Sequence, residues 1–290
     1  MKQKEAIRRS IQYWDRLAKI YDDILLNNFT AEESSILYEE FEDDFLKRLI
    51  EGKIQQGEKL VLIEIGSGTG RYIQHYCSYP EISLIIGIDV SYRMLEKSVD
   101  KLKRSSFANE IGRRILLVQG EAEDISLSIR RHEQLKHNTP VVICMFNTLG
   151  NIELEDRRQN VLLNVREMIE PNGIAVISVF NRELLRSEGK RYYTDERIVS
   201  AIVPPTFGNR IRSRLKQIFP YLNPVHFDFS KGDVKTTDFY SHWFTEQEIK
   251  DLIKNAGLRP IHNSTIVGIK SAVPKAKRGI LSTVVASSLK

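Results

Sequence analysis

Leu60-Val61-Leu62-Ile63-Glu64-Ile65-Gly66-Ser67-Gly68-Thr69-Gly70-Arg71 is an apolar run, interrupted by one acid, that ends in glycine at every second position. A strand buried on both faces in a parallel sheet is a near-continuous aliphatic run, and Leu60 to Ile65 is one apart from Glu64. The glycines permit positive φ and let a ligand approach the backbone where a Cβ would collide. The chain after Gly70 is expected to start a helix. Glu64 places a carboxylate at the carboxyl end of the strand, where open α/β sheets bind ligands. An acid there would repel a pyrophosphate and would suit a ligand with a cationic centre and an ammonium group.

The next segments repeat the unit. Leu84 to Asp89 reads as a second buried strand ending in an acid, with Ser91 as N-cap of a helix from Tyr92 to Lys103. Asp89 follows Gly70 by 19 residues, the separation a βαβ unit needs. A third strand, Arg114 to Gln119, runs into Gly120-Glu121-Ala122-Glu123-Asp124. Together these resemble the first three motifs of the class I S-adenosylmethionine-dependent methyltransferases, with Glu64, Gly66, Gly68 and Gly70 filling every marked position of Glu/Asp-x-Gly-x-Gly-x-Gly. A nicotinamide or flavin fingerprint would space the last glycine one residue further. The resemblance implies S-adenosyl-L-methionine as cofactor, held at Glu64, Gly66, Ser67, Gly68 and Gly70. It implies Asp89, beside Val90, on the ribose hydroxyls, and Glu121 and Ala122 on the adenine. It also implies an α/β fold: a doubly wound Rossmann-like sheet of about seven strands with a final antiparallel strand.

A chain of 290 residues, 41% hydrophobic and 28% charged, suits a globular protein with a sizeable core. Cys77 and Cys144 are too few for a disulfide framework or a zinc site, and no metal constellation is visible. A charged start without an apolar signal core, and no run of membrane-spanning length, point to a cytoplasmic protein. The net charge of +5 favours anionic partners only mildly and does not establish nucleic-acid binding.

Upstream, Ile7, Ile11, Trp14, Leu17, Ala18, Tyr21, Ile24 and Leu25 predict an amphipathic helix over about residues 4–26. Thr30-Ala31-Glu32-Glu33 is a capping-box signature for a second helix presenting Leu37, Phe41, Phe45 and Leu49 on one face. Residues Tyr13 to Asp22 resemble the opening helix of ubiquinone/menaquinone-type methyltransferases, which implies Tyr21, or Tyr13, over the methionine end of the cofactor. Residues 1–55 then form a helical lid on a cofactor-binding core of residues 56–180.

Downstream, Val141 to Phe146 reads as strand four. The loop Asn147-Thr148-Leu149-Gly150-Asn151 loosely resembles that of glycine and sarcosine N-methyltransferases, which implies Asn147 in the pocket. No Asp/Asn-Pro-Pro-aromatic motif of the nucleic-acid amine methyltransferases is present at this loop. A helix over about residues 155–169, the turn Pro171-Asn172-Gly173 and strand five, Ile174 to Phe180, follow. Thr245-Glu246-Gln247-Glu248 is a second capping box, with Phe244 and Ile249 placed as a hydrophobic staple and Gly257 suited to the C′ position. Strand material is expected from Pro260 to Val273, a helix-then-hairpin ending of the class I type. Residues 241–290 thus complete the core and carry a tail that is either disordered or adds a strand.

Residues 181–240 interrupt the core after strand five. They contain Tyr192-Tyr193, Pro204-Pro205, the basic run Arg210, Arg212, Arg214 and Lys216, and an aromatic stretch from Phe219 to Phe227. A surface elaboration, a substrate lid and an RNA- or protein-docking patch are all compatible with that composition, and the expected role is a substrate lid. A sulfonium methyl is already activated, so a base is needed only for a protonated acceptor; the candidates are His226, His242, Tyr240 and Tyr193. The expected reaction is methyl transfer to nitrogen or oxygen of a small, possibly anionic, molecule. The alternatives are an RNA or protein acceptor, a non-catalytic nucleotide-binding module and a nicotinamide oxidoreductase.

Overall fold

In the computed structural model, residues 2–22, 33–124, 129, 132–189, 193, 225–236, 238–262 and 281–288 are described. Two helices, α1 (Lys2–Leu17) and α2 (Glu33–Gln55), precede β1 (Leu60–Ile65), α3 (Arg71–Tyr76), β2 (Ile82–Asp89), α4 (Tyr92–Lys103) and β3 (Ile115–Gln119). Then come a helical turn Gln134–His137, β4 (Thr139–Cys144), α5 (Glu155–Ile169) and β5 (Ile174–Phe180). The insertion contributes β6 (His226–Asp228) and β7 (Asp233–Lys235), which pair with β8 (Tyr240–His242). The chain ends with α6 (Glu246–Asn255), β9 (Leu258–His262) and β10 (Leu281–Ser288).

The main sheet has seven strands in the order β3-β2-β1-β4-β5-β10-β9. β1 is central, pairing in parallel with β2 (Ile63 opposite Ile86) and with β4 (Ile63 opposite Val142). Only β10 is reversed, antiparallel to both β5 and β9. Successive strand residues face opposite sides, so β1 feeds two cores. Val61, Ile63 and Ile65 pack with α5 and α6, while Leu60 and Leu62 pack with Leu46 and Ile50 of α2 and with Tyr72, Ile73 and Tyr76 of α3. Ile63 is fully buried, and truncating such a residue to Ala costs about 2–5 kcal/mol.

Helix starts follow side-chain chemistry. Ser91 Oγ accepts from the Met94 N–H at the start of α4. Thr245 and Glu248 make the reciprocal capping box of α6, with Phe244 and Ile249 buried beside it and Gly257 at φ 71° after its end. The capping-box residues Thr30 to Glu32 and the side chains of Leu37 and Phe41 lie outside the described residues.

Three expectations are corrected. The first helix stops at Leu17, short of residue 26, because the chain turns so that Asp22 reaches Thr69 Oγ1 at 2.6 Å and Lys101 Nζ at 2.6 Å. β4 ends at Cys144, short of Phe146, since Phe146 and Asn147 adopt positive φ of 51° and 59°. The strand that pairs with β9 (Leu258–His262) is Leu281–Ser288, supplied by the tail beyond the expected stretch of residues 260–273. Residues 263–280 lie outside the described residues.

The insertion builds its second sheet around a small core of its own, in which Trp243 is fully buried and donates its indole N–H to the Tyr193 hydroxyl at 3.1 Å. Tyr192, Pro204-Pro205, the basic run from Arg210 to Lys216 and Phe219 to Tyr221 lie outside the described residues.

Candidate active site

A cleft opens at the carboxyl ends of β1 to β4, covered by α1 and by the β7–β8 segment. Its floor is the glycine turn. Gly66, Gly68 and Gly70 have φ of 71°, 52° and 79°. The N–H groups of Gly66 and Ser67 both donate to Ile88 O, at 2.8 and 2.9 Å, which locks the turn to β2. A Cβ on Gly68 would meet nothing within 4 Å, whereas one on Gly70 would collide with Ser98 of α4. Gly68 therefore leaves open space at the cleft, while Gly70 does not line it and serves the packing of turn on helix.

Glu64 and Ser67 line the cleft from buried positions, and Glu64 Oε2 and Ser67 Oγ have no hydrogen-bond partner. Burial, reinforced by nearby Asp89 and opposed by Arg71, pushes Glu64 well above the ordinary carboxylate range. Such orphaned polar atoms are costly unless a ligand completes them. Asp89 closes the other side: Oδ2 accepts from Gly68 N–H and Oδ1 from Ser91 N–H, each at 2.8 Å. Burial raises Asp89 to about 6 against these two backbone donors, with Asp15 adding to the rise.

Val90, Glu121 and Ala122 line the end of the cleft beyond β2 and β3. Arg157 of α5 bonds Glu121 at 2.7 Å and Glu123 at 2.9 Å. Burial raises Glu121, Arg157 lowers it, and the like charges of Glu123 and Asp124 raise it again. The roof comes from α1 and the turn behind it. Tyr13, Trp14 and Tyr21 line the cleft; the Tyr13 ring lies 4.6 Å from that of Phe239, and Trp14 stands edge-on to Tyr21. Asp15 docks this roof by accepting from Ser91 Oγ at 2.6 Å and Arg93 N–H at 3.2 Å.

Glu64's orphaned oxygen, Ser67's hydroxyl and the open Gly68 face fit a ligand carrying an ammonium group and hydroxyls. Residues 13–263 match a family described as methyltransferase domain. The chain belongs to the class I S-adenosylmethionine-dependent methyltransferases. S-adenosyl-L-methionine is its methyl donor. The fold is shared with solved structures of low sequence identity. An S-adenosylmethionine-dependent methyltransferase from Clostridium acetobutylicum ATCC 824 superposes with TM-score 0.56 at 13% identity, over 96% of this chain and 99% of that one. The DhpI-SAH complex gives 0.52 at 12% identity, over 97% and 96%. The PH0226 protein from Pyrococcus horikoshii OT3 gives 0.52 at 13% identity, over 86% and 92%. No curated protein sequence matches the chain.

Several expected site residues of this methyltransferase are placed elsewhere. Asn147 does not line the cleft. It is fully buried, its amide donating to Ser241 Oγ at 3.0 Å and His242 O at 3.2 Å while its Oδ1 accepts from Phe180 N–H at 2.9 Å. It is a strut joining β4, β5 and β8, and its neighbours Met145, Phe146 and Thr148 line the cleft instead. Of the candidate bases, His226 is exposed on β6, and neither it nor Tyr193 lines the cleft, since Tyr193 is buried against Trp243. His242 is buried behind the wall, bonded through Nδ1 to Asp233 at 2.8 Å; burial lowers its pKa against the pull of Asp233, so it is neutral at pH 7. Tyr240 alone of the four lines the cleft, but its hydroxyl donates to Asp233 at 2.8 Å and accepts from Arg158 at 3.2 Å, and burial raises its pKa. None is poised as a free base.

Sequence reading did not single out Arg157, the Asp15–Ser91 bond or the Asp22–Thr69–Lys101 cluster. Each depends on a partner far along the chain, so no local spacing marks it. Among the described residues, no group of three or more His, Cys, Asp and Glu could hold a metal, and no helix is long and apolar enough to cross a membrane.

Proposed function

We propose that this methyltransferase transfers a methyl group to a nitrogen or oxygen of a small molecule, by in-line displacement in the cleft beneath α1. When bound, S-adenosylmethionine supplies an activated methyl group on a cationic sulfur. Asp89 receives the ribose hydroxyls, Glu64 and Ser67 meet the amino-acid end, and Glu121 and Ala122 border the adenine. Tyr21 roofs the methionine end of the cofactor. Gly68 gives the backbone room to approach. These residues bind and orient, and positioning alone can contribute effective molarities of about 10⁵ M or more.

The observation that carries the small-molecule reading is the cover. Tyr13 and Phe239 meet as rings across the cleft, from α1 on one side and the β7–β8 segment on the other. A wall of this kind excludes water and surrounds a compact acceptor. With none of the four candidates poised as a base among the described residues, the acceptor arrives unprotonated or releases its proton to solvent. The test is a metabolite-extract screen with isotopically labelled S-adenosylmethionine, followed by mass spectrometry. Label in a low-mass compound supports the reading. Label confined to RNA or protein, with none in the metabolite fraction, rejects it.

A further inference from the structure

Arg9 of α1, Glu153 after the β4 loop and Lys235 of β7 stand together on the wall of the cleft. Arg9 Nη2 donates to Glu153 Oε2 at 2.8 Å. Lys235 Nζ lies 3.9 Å from Glu153 Oε1, too far for a hydrogen bond, and 4.9 Å from the centre of the Tyr240 ring. One carboxylate thus serves two cations, and the trio carries a surplus positive charge. Nearby Asp238 does not cancel it, because Arg16 holds that carboxylate at 2.9 Å. Asp233, which Lys235 also faces, is answered by Arg158 through the Tyr240 hydroxyl between them. The acids of the cofactor end, Asp89 and Glu121, belong to β2 and to the loop after β3, on the opposite side of β1 from β4. Tyr13, Trp14 and Phe239 continue the same wall as an apolar face.

A guanidinium has five donors in a planar fork suited to paired oxygens, and Arg9 spends one of them on a single carboxylate oxygen. Lys235 has no hydrogen-bonded partner among the described residues and keeps its charge half-exposed beside an aromatic ring. We propose that Arg9 and Lys235 recognise an anionic group on the methyl acceptor, a carboxylate or a phosphate, with Glu153 as the internal carboxylate that this group displaces. The inference rests on the methyl-transfer reading of the cleft. It identifies the acceptor as a molecule with an apolar body, packed on Tyr13 and Phe239, and an anionic end. Because Arg9 and Lys235 belong to the two covering elements, the bound anion also ties α1 to β7.

Calorimetry on the full chain saturated with SAH tests this, with benzoate and inorganic phosphate as separate probes. One or both should bind; benzoate alone identifies a carboxylate, phosphate alone a phosphorylated acceptor. Arg9→Gln should weaken the probe about tenfold, since a charge-assisted hydrogen bond is lost. Lys235→Gln should weaken it by about threefold, as expected for a half-exposed charge. Glu153→Gln should tighten it by about threefold or more, because the competing carboxylate loses its charge. SAH affinity should stay within about twofold of the parent chain in all three variants. Unchanged or weaker anion binding in Glu153→Gln overturns the proposal, as does benzylamine binding more tightly than benzoate. A loss of SAH affinity in Arg9→Gln that Glu153→Gln does not share overturns it too, since both variants break the tie between α1 and the wall and Arg9 would then hold the amino-acid carboxylate of the cofactor. If the parent chain binds no SAH, it is the functional reading that fails, a result distinct from an SAH-loaded chain that ignores both anions.

Discussion

Asp89, proposed to receive the ribose hydroxyls, ties the glycine turn to the end of β2. Its oxygens already hold Gly68 and Ser91 N–H groups, and burial lifts its pKa to about 6, above the ordinary value of about 3.9. A carboxyl raised on folding favours the protonated chain, so its contribution to stability is complete below about pH 3.9 and is lost as pH rises through about 6. Ribose hydroxyls, in contrast, donate to the ionised form. SAH affinity should therefore fall as pH drops through about 6, and Asp89→Ala should lower it at least about tenfold at neutral pH. A dissociation constant flat from about pH 5 to 8 and unaltered in the variant would place the ribose elsewhere. The glycines separate by the same reasoning. Gly70→Ala drives a Cβ into Ser98 and should cost the fold more than about 2 kcal/mol. Gly68→Ala meets open space, so it should cost roughly 1 kcal/mol of backbone strain and chiefly impair SAH binding. Thermal melts beside SAH titrations read the two effects apart; equal melting losses would show that the open face of Gly68 has no bearing on the ligand. This turn was legible in the sequence because a glycine's φ and a neighbouring acid are local properties. The place of Asn147 is not legible locally, because its partners, Phe180, Ser241 and His242, come from β5 and β8.

At the scale of elements, α1 is a cover held by few contacts. Asp15 on Ser91 and Arg93, Arg9 on Glu153 and Arg16 on Asp238 fix its polar edge, and Tyr13 on Phe239 fixes its apolar one. Asp15→Ala removes acceptors from a hydroxyl and a backbone N–H at the α4 N-cap, each bond worth about 1.5–3 kcal/mol to a charged group. The core sheet does not depend on them. Expected are a small change in melting temperature, a several-fold weaker SAH complex and faster proteolysis before residue 33; unaltered proteolysis would show that the remaining ion pairs and the aromatic contact seat the helix without Asp15. Thr245→Ala is the contrasting case, removing the reciprocal cap of α6 and destabilising by about 1 kcal/mol with SAH affinity unchanged. A urea titration checks the first and calorimetry the second. Most helix starts could be read beforehand, since Ser91, Thr245 and Glu248 act within one turn. The end of α1 could not, because Asp22 is drawn to Thr69 and Lys101 across the fold.

For the whole molecule, β1 to β5 announce themselves as aliphatic runs of β-branched residues, and their order follows from βαβ connections. β10 does not, being Leu-Ser-Thr-Val-Val-Ala-Ser-Ser, half polar and far from its partners in sequence. Its place is set by pairing with β5 and β9 and by burial of Val284, Val285 and Ala286. The chain's last strand is thus interior to the sheet. Removing residues 281–290 would leave β5 and β9 with bare edges, and unpaired backbone on a buried sheet is costly. It would also uncover apolar residues of both core faces, since Val284 and Ala286 pack with α5 and α6 while Val285 packs with Ile174 and Val176. Loss of those three side chains forfeits roughly 1.5–3 kcal/mol for each valine and less for the alanine, against a total stability of about 5–15 kcal/mol. The truncated chain should therefore lose its sharp thermal transition and bind no SAH, although no residue proposed to hold the cofactor has been touched. Circular dichroism melts of the two lengths side by side decide it. A truncated chain that melts cooperatively within a few degrees of the full one would mean that β5 and β9 close the sheet without their reversed neighbour.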